Sequence, residues 1–482
     1  MKHKQMRDMT RGPVGQHLWV LMGFMVFGMF AQMLNTFVDI YFVARLGASA
    51  VAALTLSANV LLVGMALAQG LSIGSAALIA QALGRKNGAD AQLAFSQALG
   101  LSIALLLGAV LFSRPIAHLL SGLLSASSDI AVMSWNYLVW FIPAIALQLP
   151  ASVFSSGLRA AGTMRPVMLA QIGSVLVNVI LAPLLISGLL GFPSLGVAGA
   201  GIATFVSALI SFLWLTSSFL NAKSPLRIRP AEWAPVGAVW RQILSIGLPA
   251  GADFLLMFCY LTFITYSLRG FGGAEQAAFG VGQRLIQLLS VPTVALSFAT
   301  AAVAGQNAGA GALERVRETL RSSILIGLAV MAISFAICEM FPRQLVEFFT
   351  SDESVQASAV TFLRVVSVNL FTTGVALSCF GVLSGLGRTM PALGSSALKI
   401  VAVVVFAVAT ANQMRNEGPV LLWYIVVVGT AIHMLANIYF VRKVLSKPLP
   451  VSPWAQAESG QSHDKRDARH AGKNLSSLEE SV

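Results

Sequence analysis

Residues 16–44 read QHLWVLMGFMVFGMFAQMLNTFVDIYFVA, with no lysine or arginine and one carboxylate, Asp39. A helix rises about 1.5 Å per residue and the hydrocarbon core of a bilayer is about 30 Å thick, so roughly 20 apolar residues suffice to cross it. This stretch is long enough. It follows Lys2, Lys4, Arg7 and Arg11 and superficially resembles a signal peptide. Its apolar run is about twice the length of a signal h-region and carries polar residues deep within it, so it reads as a retained helix. Eleven more segments of this kind follow, near 50–82, 93–113, 130–157, 165–188, 196–220, 240–268, 275–307, 317–340, 354–384, 391–412 and 418–441. The composition agrees: of 482 residues 56% are hydrophobic and 10% charged, and the mean hydropathy is +0.79. Soluble domains carry about 25% charged residues. A set of soluble domains, a disordered chain and a disulfide scaffold are thereby excluded. The expected fold class is an all-α integral membrane protein with twelve transmembrane helices.

The net charge of +12 would suggest nucleic acid in a soluble protein. Here it follows topology. With the N-terminus inside, 23 lysines and arginines fall on the cytoplasmic side, Arg159 among them, and 5 on the other. That asymmetry places both termini in the cytoplasm of a cell (inner) membrane protein with no nucleic-acid partner. Beyond Lys447 the chain turns polar and reads as a disordered tail.

The sequence also repeats. Leu46-Gly47 with Ala52-Ala53 recurs as Phe271-Gly272 with Ala277-Ala278, and Gln81 to Gly84 recurs as Gln306 to Gly309. Gly162-Thr-Met-Arg-Pro166 recurs as Gly387-Arg-Thr-Met-Pro391, and all three pairs are 225 residues apart. Six segments per half make the repeats parallel, related by an axis along the membrane normal. The expected organisation is a cytoplasmic N-terminus (1–15), an N-lobe (16–220), a basic, proline-rich linker (221–239), a C-lobe (240–441) and a tail (442–482). Two facing bundles suit a secondary transporter that exposes a site to alternate sides.

A carboxylate at the bilayer centre costs about 2.5–3.5 kcal/mol on insertion scales. Of 19 acidic residues only Asp39 and Asp253 lie well inside the segments. Gln32, Asn35 and Asp39 are spaced i, i+3, i+7 and share a helix face, with Gly28 a turn earlier. The fifth segment repeats the pattern with Gln171, Ser174 and Asn178, and the sixth with Thr204, Ser207 and Ser211. Tyr137 on the fourth is expected to complete a polar pocket. Interhelical hydrogen bonding would account for Gln171, Ser174, Ser207 and Ser211. It does not require an ionisable group, so Asp39 is the candidate coupling carboxylate, for a proton or a transient Na⁺. Asp253 lies four residues after Pro249, whose ring frees a carbonyl and bends a helix. Tyr260 follows two turns later on the same face. Asp253 is either a second coupling group or the partner of Lys399 or Arg284. Gln283, Arg284 and Gln287 make the eighth segment polar near its centre. Some of the 17 methionines are expected to line a permissive cavity. No histidine or cysteine spacing suits a metal and no nucleotide-binding loop occurs, so an ion gradient or a partner must supply energy. No cofactor is expected beyond the coupling ion, and no enzymatic activity.

The run Leu34-Asn-Thr-Phe-Val-Asp-Ile-Tyr-Phe-Val-Ala-Arg-Leu-Gly47 resembles the first-helix signature of the multidrug and toxic compound extrusion (MATE) family. Gly157-Leu-Arg-Ala-Ala-Gly162 with Pro166, Val177-Asn178 and Leu195 to Thr204 are similar to its fourth-to-sixth-helix pattern. Gln283 to Gln287 with Gln306 to Gly311 resembles its eighth-helix pattern. The resemblance implies two six-helix lobes around a central cavity and a cation-coupled antiporter exporting amphipathic, often cationic, compounds. It makes Asp39 the coupling carboxylate, with Gln32, Tyr137, Asn178 and Thr204 around it. The chain departs from the family at Ala182 and Met257, where relatives carry acids. It also lacks the proline common early in the first helix, so Gly23 and Gly28 stand as candidate hinges. A monomer is expected. The competing functions are a flippase for lipid-linked sugars, which needs a strongly basic cavity, and a channel or receptor without coupled transport.

Overall fold

A computed structural model describes residues 7–125, 127–191, 193–220 and 226–447, without the side chains of residues 35–40, 44, 48, 56, 124 and 415–417. No strand occurs among the described residues. The helices are α1 (Val14–Ala44), α2 (Ala48–Leu56), α3 (Ala58–Gly84), α4 (Gly88–Leu111), α5 (Ser113–Leu124), α6 (Ser128–Ala160), α7 (Arg165–Ser187) and α8 (Val197–Leu220). The second half supplies α9 (Gly237–Ser267), α10 (Gly273–Gly309), α11 (Leu313–Met340), α12 (Pro342–Glu347), α13 (Glu353–Val366), α14 (Asn369–Gly385), α15 (Met390–Ala409), α16 (Ala411–Glu417) and α17 (Val420–Leu445). A helix satisfies every backbone polar group within its own segment, which is why long apolar runs in lipid adopt it. Among the described residues eleven helices are long and apolar enough to cross a membrane, or twelve when α13 and α14 count as one span bent by 52°. The twelve expected segments are therefore all present as helices.

The bend in the tenth segment has no proline to cause it. Ser367 donates to Glu339 Oε1 at 2.9 Å and to the Arg364 carbonyl at 3.3 Å, and Asn369 accepts the hydroxyl of Thr430. Side chains that engage backbone or neighbouring helices in this way compete with the i→i−4 ladder. Hydropathy does not register such a competition. Nor did it register α5, an amphipathic helix of 12 residues, too short to cross the core.

The repeat is visible atom by atom. Gly47 and Gly272 have φ of 103° and 104°, and Gly162 and Gly387 have 74° and 69°, conformations that disfavour any Cβ. Gln81 Nε2 donates to the Gly385 carbonyl at 2.9 Å, and Gln306 Nε2 donates to the Ala160 carbonyl at 2.7 Å. Positions 81 and 306, like 160 and 385, are 225 apart, so the two bonds are symmetry mates across the junction of the halves. A Cβ on Gly84 would stand 1.9 Å from the Gln306 carbonyl oxygen, and one on Gly309 would stand 2.0 Å from that of Gln81. The backbones of the two halves thus touch at the ends of α3 and α10. Gly70, Gly247 and Gly251 permit similar approaches further along α3 and α9.

Two polar segments brace this same end. Residues 7–12 precede α1 but bind α10 and α11: Met9 N donates to Gln306 Oε1 at 2.9 Å and Arg315 to the Gly12 carbonyl at 2.9 Å. The segment before α9 binds α4: Gln92 bridges both backbone groups of Arg227 at 2.7 and 2.8 Å, and Gln97 Oε1 accepts from Val236 N at 2.9 Å. Ser96 donates to Glu232 at 2.8 Å and Arg229 pairs with it at 2.9 Å. Burial pushes the Glu232 carboxyl up, but hydrogen bonds from Arg229, Ser96 and Gln92 outweigh it and hold it below the ordinary value. A depressed carboxyl stabilises docking above the usual carboxylate range, and that contribution is lost as pH falls through its lowered pKa. Glu232→Gln is expected to weaken docking by about 1 kcal/mol at neutral pH, read as faster amide exchange at Arg227 and Val236. Equal protection in both proteins would contradict this.

Candidate functional site

A cavity of about 260 Å³ opens within the first half, walled by α1, α3, α6, α7 and α8, with Phe298 of α10 as its only described wall residue from the second half. The polar stripes of three helices converge on it. Gln32 comes from α1, Gln171 and Ser174 from α7, and Thr204, Ser207 and Ser211 from α8. Ser174 also donates to the Ser207 carbonyl at 3.0 Å, joining α7 to α8, while Thr204 bonds its own helix at Ala200 O, 3.0 Å away. Met25, Met29, Met65, Met164 and Met168 supply much of the remaining wall. Flexible thioethers between amide and hydroxyl groups fit amphipathic molecules of varied shape.

Gly28 lets α7 come close to α1, because a Cβ there would stand 1.9 Å from Gln171 Oε1. Gly23 has nothing within 4 Å of such a Cβ, and α1 is continuous through both glycines. The side chains of Asn35 and Asp39 lie outside the described residues. On the helix, Asp39 is seven positions, about 10 Å, beyond Gln32. Tyr137 packs in the N-lobe core, 2% exposed and stacked on Phe141, rather than on the cavity wall. Asn178 on α7 is fully buried, and neither its amide nitrogen nor its oxygen has a hydrogen-bond partner among the described residues. An unmet buried amide costs about 1–3 kcal/mol. Asn178→Leu is therefore expected to leave the thermal midpoint unchanged or raise it, where replacement of a structural hydrogen-bonding asparagine would lower it.

In the second half Lys399 Nζ stands 4.1 Å from the centroid of the Tyr260 ring. Asp253 has Ser396 and Lys399 as polar neighbours, but Lys399 forms no ion pair with it among the described residues, and its Oδ1 is buried without a partner. Ser396 lies 3.3 Å from His433 Nε2. Pro249 is buried inside the continuous α9. Arg284 and Gln287 are exposed and Gln283 half-buried on α10, and none of them is among the described residues of the cavity wall.

One residue of the site escaped the sequence. Hydropathy places Arg159 with the cytoplasmic loop bases, yet α6 runs to Ala160 and carries it inside, 6% exposed and on the cavity wall. Its Nη2 donates to Ser72 Oγ at 2.8 Å, its guanidinium lies 4.8 Å from the Phe298 ring centroid, and its Nε has no partner. The left-handed Gly162 two residues past α6 was the available signal, since helices commonly end just before such a glycine.

Two lobes built from one repeat and a polar cavity inside a helical membrane bundle define a membrane transporter. The profile of the MatE family matches twice, over residues 25–184 and 249–409, and the chain belongs to that family. It is a transporter of the multidrug-efflux class and not an enzyme. It is 26% identical over 386 residues to an FAD transporter of Shewanella oneidensis, covering 80% of this chain and 85% of that one. It is 22% identical to the multidrug export protein MepA of Staphylococcus aureus, with 80% and 85% covered. The fold matches an outward-facing multidrug resistance MATE transporter with a TM-score of 0.84 at 23% identity, covering 93% of this chain and all of that one. A MATE structure in the straight conformation gives 0.85 at 24% identity, with 92% and 99% covered.

Proposed function

We propose that the chain is a secondary antiporter of the cell (inner) membrane that exports amphipathic small molecules in exchange for H⁺ or Na⁺. The lobes, 16–220 and 240–441, alternate access to the N-lobe cavity, with both termini, the 221–239 linker and the 442–482 tail in the cytoplasm, and the chain acts as a monomer. The tightest backbone contacts between the lobes, Gly84 against Gln306 and Gly309 against Gln81, lie at the end that this topology makes cytoplasmic. The state described is then closed to the cytoplasm. Asp39 couples the cycle: a proton or Na⁺ taken up there weakens the hold on substrate, which leaves outward. The observation that carries this reading is the polar path of Gln32, Gln171 and Thr204 on the cavity wall, continued toward Asp39 on α1 and the unpartnered amide of Asn178 on α7. Asp253 beside Lys399 is a second candidate for coupling in the C-lobe. The flippase alternative needs a strongly basic cavity, and Arg159 is the only base among the described residues of the cavity wall, while Lys399 sits on Tyr260 and Arg284 is exposed. In proteoliposomes given a pH gradient or a Na⁺ gradient separately, one of the two is expected to drive dye uphill. Downhill flux alone under both would identify a channel instead.

A further inference from the structure

Arg159 is the only charged side chain among the described residues lining the N-lobe cavity. An arginine so deeply buried normally stands against a carboxylate, since desolvating a guanidinium is costly without one. None of the five ion pairs among the described residues involves it. Its described partners are a neutral hydroxyl, Ser72 Oγ, and the face of Phe298, and its Nε is left unpaired. The fold does not demand the charge. The repeat places Ser384 at the equivalent position of α14, and Gly387 forms the same left-handed turn as Gly162 with serine rather than arginine three residues before it.

We propose that Arg159 is a specificity-determining residue that receives an anionic group, a carboxylate or phosphate, of the transported molecule. The apolar body of that molecule lies among Met25, Met29, Met164 and Met168, and its polar groups meet Gln32 and Gln171. The cavity thus selects amphipathic anions or zwitterions over cations. This rests on the transport reading above but is separable from it, because it concerns binding at equilibrium rather than coupling.

The test uses two xanthene dyes of similar shape and opposite charge, the dianion fluorescein and the cation rhodamine 123. Each is titrated by fluorescence anisotropy into the full chain in nanodiscs with no ion gradient. The wild-type protein is expected to bind fluorescein at least about 10-fold more tightly than rhodamine 123, the strength of one charge-assisted hydrogen bond. Arg159→Gln is expected to weaken fluorescein binding by about 10- to 100-fold while leaving rhodamine 123 within about twofold, and Arg159→Lys to restore part of the loss. A wild-type preference for rhodamine 123, or an equal loss of both dyes in Arg159→Gln, would overturn the proposal. Arg159→Met serves as a second neutral variant. If neither neutral variant folds, the wild-type ratio decides: preference for the anion upholds the proposal, and its absence overturns it. A protein that sorts the dyes by charge but moves neither uphill would contradict only the coupled transport.

Discussion

Leucine at position 84 is expected to abolish transport and leave the chain unable to close where its two halves meet. The first atom of any side chain there would stand 1.9 Å from the Gln306 carbonyl oxygen, and that oxygen belongs to helix backbone that cannot rotate away. The mate of this contact, Gly309 against Gln81, is equally tight at 2.0 Å, so strain on one side cannot be passed to the other. Overpacking of a core site costs about 1–3 kcal/mol when side chains can adjust, and the upper figure applies where only backbone can yield. The cost falls on the closed arrangement alone, so it shifts the population toward separated lobes, by about 100-fold at 3 kcal/mol. With exposed Cys259 replaced by serine, an Ala80→Cys reporter at the lobe junction is expected to resist thiol reagents in the wild type and to react in Gly84→Leu. A Gly84→Leu protein that exports dye normally and keeps position 80 protected would show that the contact does not form the gate.

The fold was largely legible because lipid imposes one rule on the whole chain: each crossing segment must be long, apolar and helical. The repeat added the lobes, and its three anchors proved to be the places where backbone conformation or close approach demands glycine, at 47 and 272, 84 and 309, and 162 and 387. The bend at Ser367 and the short amphipathic α5 were not legible. Both depend on where hydroxyls and a short amphipathic face find partners, which hydropathy summed over roughly 20 residues averages away.

The cavity was legible in part for a related reason. Helical spacing put Gln32, Gln171, Ser174, Thr204, Ser207 and Ser211 on shared faces, and those faces meet. Spacing says nothing of which neighbours lie opposite: Tyr137, expected to complete the pocket, stacks on Phe141 and is not among the described residues of the cavity wall. Arg159 is not legible because the apolar run of the fourth segment ends near residue 157, while the helix continues to Ala160. Three residues separate a solvated loop base from a buried cation on the cavity wall.

The second large effect is expected at Asp39. An asparagine there keeps the size and hydrogen-bonding capacity of the side chain but can neither take up a proton nor offer a carboxylate to Na⁺. Binding energy that differs between two conformations is what an ion can contribute to a transport cycle, and without a chargeable group that difference vanishes. Asp39→Asn should therefore still bind dye, and exchange it passively, while losing at least about 100-fold of its gradient-driven rate, equivalent to about 2.7 kcal/mol of coupling. An Asp253→Asn protein measured beside it separates the two carboxylates, since a purely structural Asp253 would lower stability without uncoupling the protein that remains folded. The most direct measurement is the uphill accumulation of dye in proteoliposomes bearing equal amounts of folded wild-type or Asp39→Asn protein under the gradient that drives the wild type. The account predicts accumulation with the wild type and only equilibration with Asp39→Asn; uphill movement by the variant at the wild-type rate would contradict it.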